Sequence, residues 1–149
     1  MKFNFKFISI FLFITFLTLG NSPEEKSVAT FAKEEKAFYE SYRNSDINVA
    51  EKILLKYLRL VLDYEKHGIK GIDYHSVLGS TYIRLYLIEE QKNNKETAKK
   101  YLDKSLKLHF SGTKMTKAEV DKEKEKIIEF YKGIDLMNSV KWLRDISPE

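Results

Sequence analysis

Residues 73–106 read DYHSVLGSTYIRLYLIEEQKNNKETAKKYLDKSL, and this stretch decides the fold class. Tyr74, Val77, Leu78, Thr81, Tyr82, Leu85 and Ile88 recur at intervals of three and four. That period gathers side chains on one face of an α-helix. Asp73 precedes them in the place of an N-cap. Gln91, Lys92, Asn93 and Asn94 then break the pattern with polar, turn-forming residues. Behind the break, Ala98, Tyr101, Leu102, Ser105 and Leu106 form a second stripe, with Lys95, Lys99, Lys100 and Lys104 off it. Two helices joined by so short a turn are expected to lie antiparallel.

The same grammar extends in both directions. Ser22, Pro23, Glu24 and Glu25 combine an N-cap, a proline at the first helical position and a capping-box glutamate. They predict a first helix carrying Phe31, Ala37, Phe38 and Tyr42 up to a break at Asn44–Ser45. Asp46 caps a second helix, with Ala50, Ile53, Leu54, Tyr57, Leu58 and Val61 on its stripe and His67–Gly68 at its end. Leu55, Leu60 and Leu62 lie off that stripe, so this helix is expected to be covered on more than one side. After the break at Ser111–Gly112–Thr113, Thr116 and Glu119 spell a capping box. The fifth helix is expected to end at Gly133, with Val120, Ile127, Ile128, Phe130 and Tyr131 as its apolar positions. A short last helix is expected over residues 136–145, held by Val140, Trp142 and Leu143. No segment alternates with a period of two between hairpin turns. The expected fold is therefore all-α, three antiparallel helix pairs.

A different kind of segment precedes them. Lys2 and Lys6 give a basic start, residues 7–19 are apolar apart from Ser9, Thr15 and Thr18, and Thr18 and Gly20 place small residues before a cleavage point. These are the three parts of a secretory signal peptide. The expected division is a leader at residues 1–20 and a helical domain at residues 21–149, exported to the periplasm or secreted. An uncleaved anchor over residues 3–19 is the alternative; it is short against the roughly 20 residues a spanning helix needs.

Composition narrows the function. Of 149 residues none is cysteine, so disulfides, thiolate metal sites and a cysteine nucleophile are excluded. Lys+Arg number 26 and Asp+Glu 22; without Lys2 and Lys6 the balance is 24 − 22 = +2. Such a chain lacks the basic footprint of a nucleic-acid binder. His67 and His109 fall at helix ends, where they can satisfy terminal carbonyls. His75 follows Asp73 by two residues, a spacing that does not bring helical side chains together. No zinc-protease helix, phosphate-binding glycine loop or nucleophile elbow occurs. No catalytic residue, cofactor or metal is expected. The lysines around the fourth helix read as the solvated back of an amphipathic helix.

Leu78–Gly79, then Tyr82, then Ala98 and Leu102 resemble the tetratricopeptide pattern. Taking Phe38, Gly79 and Ile127 as equivalent, the second-helix partners are Ala50, Ala98 and Ser139, at separations of 12, 19 and 12 residues. The family's tryptophan and closing proline are absent from their places. The resemblance implies three stacked hairpins, with a compact six-helix bundle as the alternative pairing. It also implies a non-catalytic module that binds a protein or peptide on a concave face lined by the first helix of each pair. Carried over, that face comprises Tyr39, Tyr42 and Arg43, then Ser76, Ser80, Ile83 and Arg84, then Lys124, Ile128, Tyr131 and Lys132. By register, Tyr42, Ile83 and Tyr131 would form an apolar row, and Arg43, Arg84 and Lys132 a basic one, suited to acidic side chains or a free C-terminus. A small helical enzyme whose carboxylates or His75 act in a pocket, and a membrane-surface protein using an uncleaved leader and the lysines of the fourth helix, are the competing readings.

Overall fold

The computed structural model describes residues 26–146, and the described residues form six α-helices with no strand. These are α1 (Val28–Arg43), α2 (Ile47–Lys66), α3 (Tyr74–Gln91), α4 (Lys95–His109), α5 (Lys117–Met137) and α6 (Lys141–Ile146). The all-α expectation holds. None of these helices is long and apolar enough to cross a membrane. The leader at residues 1–20 and the helix start at Ser22, Pro23, Glu24 and Glu25 lie outside the described residues.

Caps set most boundaries. α1 begins at Val28 and does not run continuously from the expected start at Pro23: Ser27, extended at φ −142° and ψ 167°, caps it, its Oγ accepting from Thr30 N at 3.1 Å. Asp46 Oδ1 accepts from Asn48 N and Val49 N, both at 3.0 Å, and Asp73 Oδ1 from Ser76 N at 3.1 Å. Thr116 and Glu119 form the reciprocal capping box. Each satisfies amides that the first helical turn leaves without partners. At the other end of α2, His67 Nδ1 lies 2.7 Å from Asp63 O, as its position before Gly68 led one to expect. Two later boundaries also differ from expectation. α5 runs through Gly133 to Met137, because Gly133 does not take the positive φ of a helix-ending glycine. A helical glycine costs only about 1 kcal/mol relative to alanine and need not end a helix. α6 accordingly begins at Lys141, after Ser139 turns the chain with a positive φ of 57°.

α3 packs most extensively on α4, and also against α2 and α5, which is why its buried residues lie all round it. At the α3–α4 interface Ala98 is fully buried and Ser105 Oγ donates to Gly79 O at 2.7 Å. α1 lies along α2, where the rings of Phe38 and Tyr57 stack at 3.9 Å and Phe31 meets Tyr64 edge-on at 5.1 Å. α6 rests on both α2 and α5. In a solenoid each hairpin touches only its neighbours; here the third pair reaches the first. Two buried clusters result. The larger unites Phe31, Leu54, Val61, Leu85 and Trp142 with their neighbours, and the smaller Ile83, Leu102, Leu106 and Ile128.

Gly79 has a specific reason to be glycine. A Cβ there would stand 2.6 Å from His109 Cε1, in a ring already bonded on both sides. Gly79→Ala is expected to lower stability by about 1–3 kcal/mol, the usual range for overpacking. In Gly79→Ala/His109→Ala the loss should fall short of the sum of the single effects, measured by chemical denaturation.

Candidate functional site

The seam where α1, α3 and α5 meet holds the residues expected to line a binding face, but half-inverted. Arg84 is the only charged residue between Val77 and Ile88. It is 4% exposed, and Asp135 of α5, 1% exposed, closes on it. Arg84 Nε donates to Asp135 Oδ1 and Oδ2, both at 3.0 Å, and Nη2 to Oδ1 at 2.8 Å. Nη1 reaches Ser80 O at 3.4 Å. The guanidinium carbon lies 5.5 Å from the ring centres of Tyr39 and Tyr131 and 5.9 Å from that of Tyr42. Burial opposes the charge of Arg84, yet Tyr39, Asp135 and Tyr42 together hold its pKa well above the ordinary value. Tyr42 OH donates to Asp135 Oδ2 at 2.8 Å and accepts from Trp142 Nε1 at 3.2 Å. Burial, and then the Asp135 charge, push the Tyr42 hydroxyl far above its usual pKa, so it stays a donor. No buried side-chain polar atom among the described residues lacks a partner.

This arrangement corrects four of the expected site residues. Tyr42 (1% exposed), Ile83 (0%), Arg84 and Ile128 (6%) are core residues and line no open face. α5 covers the side of α3 that a stacked array would leave bare, so Ile83 and Arg84 are enclosed. The two-pronged carboxylate grip expected of Arg84 exists, but the carboxylate is the chain's own Asp135. The apolar and basic rows therefore do not form at the surface. Tyr39, Ser80, Lys124, Tyr131 and Lys132 remain half-buried, and Arg43 and Ser76 exposed. Tyr39, Ser80 and Tyr131 are brought together around Arg84, with Lys132 next to Tyr131 in the chain. Ser76 serves the α3 cap, its Oγ donating to Asp73 Oδ2 at 2.7 Å, and Lys124 pairs with Glu125 at 3.4 Å.

Two further groups escaped the sequence reading. His109 was read only as a helix-end residue, yet it bridges three helices. Its Nδ1 lies 2.9 Å from Ser105 O and its Nε2 2.9 Å from Tyr131 OH. A carbonyl only accepts, so Nδ1 carries the proton and the Tyr131 hydroxyl donates to Nε2. Burial pushes the Tyr131 pKa up to about 12 and that of His109 down, Ser105 and Asp73 acting the other way on the histidine. Glu35 accepts from Tyr57 OH at 2.6 Å, and burial raises its pKa against the effects of Tyr57 and Arg84. His75, offered for the enzyme reading, is exposed. Among the described residues no three His, Asp or Glu side chains gather as a metal site would require. Compared with known protein families, curated proteins and solved structures, the chain matches none.

Removing one partner of a buried pair strands the other. Arg84→Met should therefore cost about 3–5 kcal/mol in chemical denaturation, and Arg84→Met/Asp135→Asn should recover more than half of that loss. His109 gives a pH signature of definite sign. Its folded pKa lies below the ordinary value near 6.5, so in acid the unfolded chain takes up the proton first. Stability should be full above about pH 6.5 and fall as pH drops from there towards the lowered folded pKa. Thermal melts between about pH 7.5 and pH 5 check this, and His109→Gln should flatten that part of the slope.

Proposed function

We propose that the protein is an exported, non-catalytic helical module that binds a protein or peptide partner. The observation that supports this reading is the surface over the α1–α3–α5 seam. Tyr39 and Tyr131 present half-buried rings there, held against the same guanidinium, with Ser80 O also on that guanidinium and Arg43 and Lys132 nearby in the chain. Rigid aromatic groups lose little conformational freedom on binding, and they concentrate binding energy at the centre of an interface. The side chains here whose pKa is shifted (Arg84, Tyr42, Glu35, His109) all have partners within the chain, so their shifts follow from packing and need no reaction. The helix-pair resemblance points the same way, to a protein or peptide partner; with Arg84 taken by Asp135, Arg43 and Lys132 are the cations left to favour acidic side chains or a free C-terminus on it. The basic start, apolar run and small-residue exit of residues 1–20 support export.

Arg43 and Lys132 lie outside the buried network and can be reversed without touching it. Affinity capture from the exported fraction of the producing cell, with the wild-type chain and Arg43→Glu/Lys132→Glu side by side, tests the reading. A protein held by the wild type should be lost from the variant, with the melting temperature of the variant within a few degrees of the parent. An identical set of captured proteins would remove this face from the proposal.

A further inference from the structure

The opposite flank of α1 carries a second feature. Glu35 and Tyr39 turn towards the Arg84 seam, while Ala37 and Ser41, about half a helical turn away, turn from it. They form one wall of an open groove of about 590 Å³ between α1 and α2. Its floor is apolar: Phe38, Ile53, Tyr57 and Leu60. Val49, one turn before Ile53 on α2, extends the apolar strip and is 43% exposed.

The charge along this groove is lopsided. Lys52, Lys56 and Arg59 follow one another at i, i+4 and i+7 on the exposed side of α2, beside the strip. Lys56 and Arg59 line the groove and form no hydrogen bond or ion pair with another described residue. The two acids of the groove are already engaged. Glu34 accepts from Tyr64 OH at 2.7 Å, and Asp63 pairs with Lys26. Glu34 keeps its negative charge, since a neutral hydroxyl does not cancel it, but Lys52, Lys56 and Arg59 outnumber it, so the rim is net cationic.

We propose that this groove receives an amphipathic helix from a partner protein, its apolar face on the floor and an acidic flank against Lys52, Lys56 and Arg59. Shape and charge both select that occupant. The small side chains of Ala37 and Ser41 leave room for a helix backbone to approach. Ile53 to Leu60 spans about 10 Å, or about two helical turns. Apolar anchors at i, i+3 or i+4 and i+7 of a docked helix match such a floor. Acidic residues beside those anchors neutralise the rim, whereas a basic flank meets like charge. The proposal uses other rim residues than the tyrosine face, although the floor rings Phe38 and Tyr57 touch Tyr39 from below.

Two synthetic helical peptides of about 14 residues, with the same leucine face and either glutamates or lysines elsewhere, serve as probes against the full chain. Fluorescence anisotropy at low salt should show the glutamate peptide binding at least about tenfold more tightly, a difference that narrows as ionic strength rises. Lys52→Glu/Lys56→Glu/Arg59→Glu should reverse the preference. Ala37→Trp, at an exposed position, should abolish binding of both peptides and leave the melting temperature unchanged, while Arg43→Glu/Lys132→Glu should bind as the parent does. Equal affinity for the two peptides, or undiminished binding by Ala37→Trp, would overturn the proposal. So would sedimentation showing a self-associated parent that Ala37→Trp converts to monomer, which would give the groove to a second copy and its exposed Phe130 and Met137.

Discussion

A guanidinium cannot be buried without an anion, and most of this architecture answers that constraint. Arg84 stands inside an otherwise apolar stretch of α3, and its carboxylate partner arrives 51 residues later in the sequence, on α5. Bringing Asp135 there carries α5 across α3 and encloses Ile83 on the way. Tyr42 of α1 takes the remaining capacity of the carboxylate, and Trp142 of α6 donates to Tyr42. Four of the six helices thereby meet at one ion. A buried pair of this kind adds little net stability, because desolvation offsets much of the attraction. Its strength lies in discrimination: any other packing of α5 leaves a charge stranded. α6 shows the consequence. Six residues are far too few to hold a helix in isolation, and it persists because Trp142 and Leu143 are buried in the larger cluster.

A second linkage secures the other side of the seam. Tyr131, four residues before Asp135 on α5, stacks against Arg84 and donates to His109. His109 in turn sits where Gly79 has no side chain and bonds back to Ser105, whose hydroxyl donates to Gly79 O. The two linkages share α3 and α5. Each polar group in them is partnered, with Arg84, Asp135, Tyr42 and Ser105 buried and His109 and Tyr131 half-buried, which is the condition under which such networks specify one arrangement rather than weaken the core.

Helix class and most helix limits were legible because they are local. Asp46, Asp73 and the Thr116/Glu119 box act within three residues of themselves, and the packed stripes of α1 to α4 are read from spacing alone. The site was less legible because burial of α3 depends on what crosses it. From Leu78, Ile83 and Arg84 lie on the side that a two-layer pairing leaves open, and only α5 makes that side interior. Two signals were nonetheless present. Arg84 is a lone charge within an apolar run, and Asp135 sits between Ile134 and Leu136, one helical turn after Tyr131. Read as a pair they would have placed both inside. Gly133 hid this by suggesting that the helix stops two residues before Asp135. His109 was misjudged for a related reason. A histidine at a helix end has an adequate local role, and nothing local reveals the tyrosine of another helix.

The two flanks of α1 can be compared on equal terms, since they share backbone, length and solvent. On the α3 side, Tyr39 and Tyr42 are committed to Arg84 and Asp135, while Glu35 accepts from Tyr57 of α2. On the α2 groove side the pattern changes: small residues, an open apolar floor and a rim on which the acids are satisfied but Lys56 and Arg59 are not. A sequence under selection for stability alone would be expected to balance that rim with acids or to fill the groove, since both changes are accessible by single substitution. Places where local consistency lapses while the rest of the chain observes it are where function is expected to act.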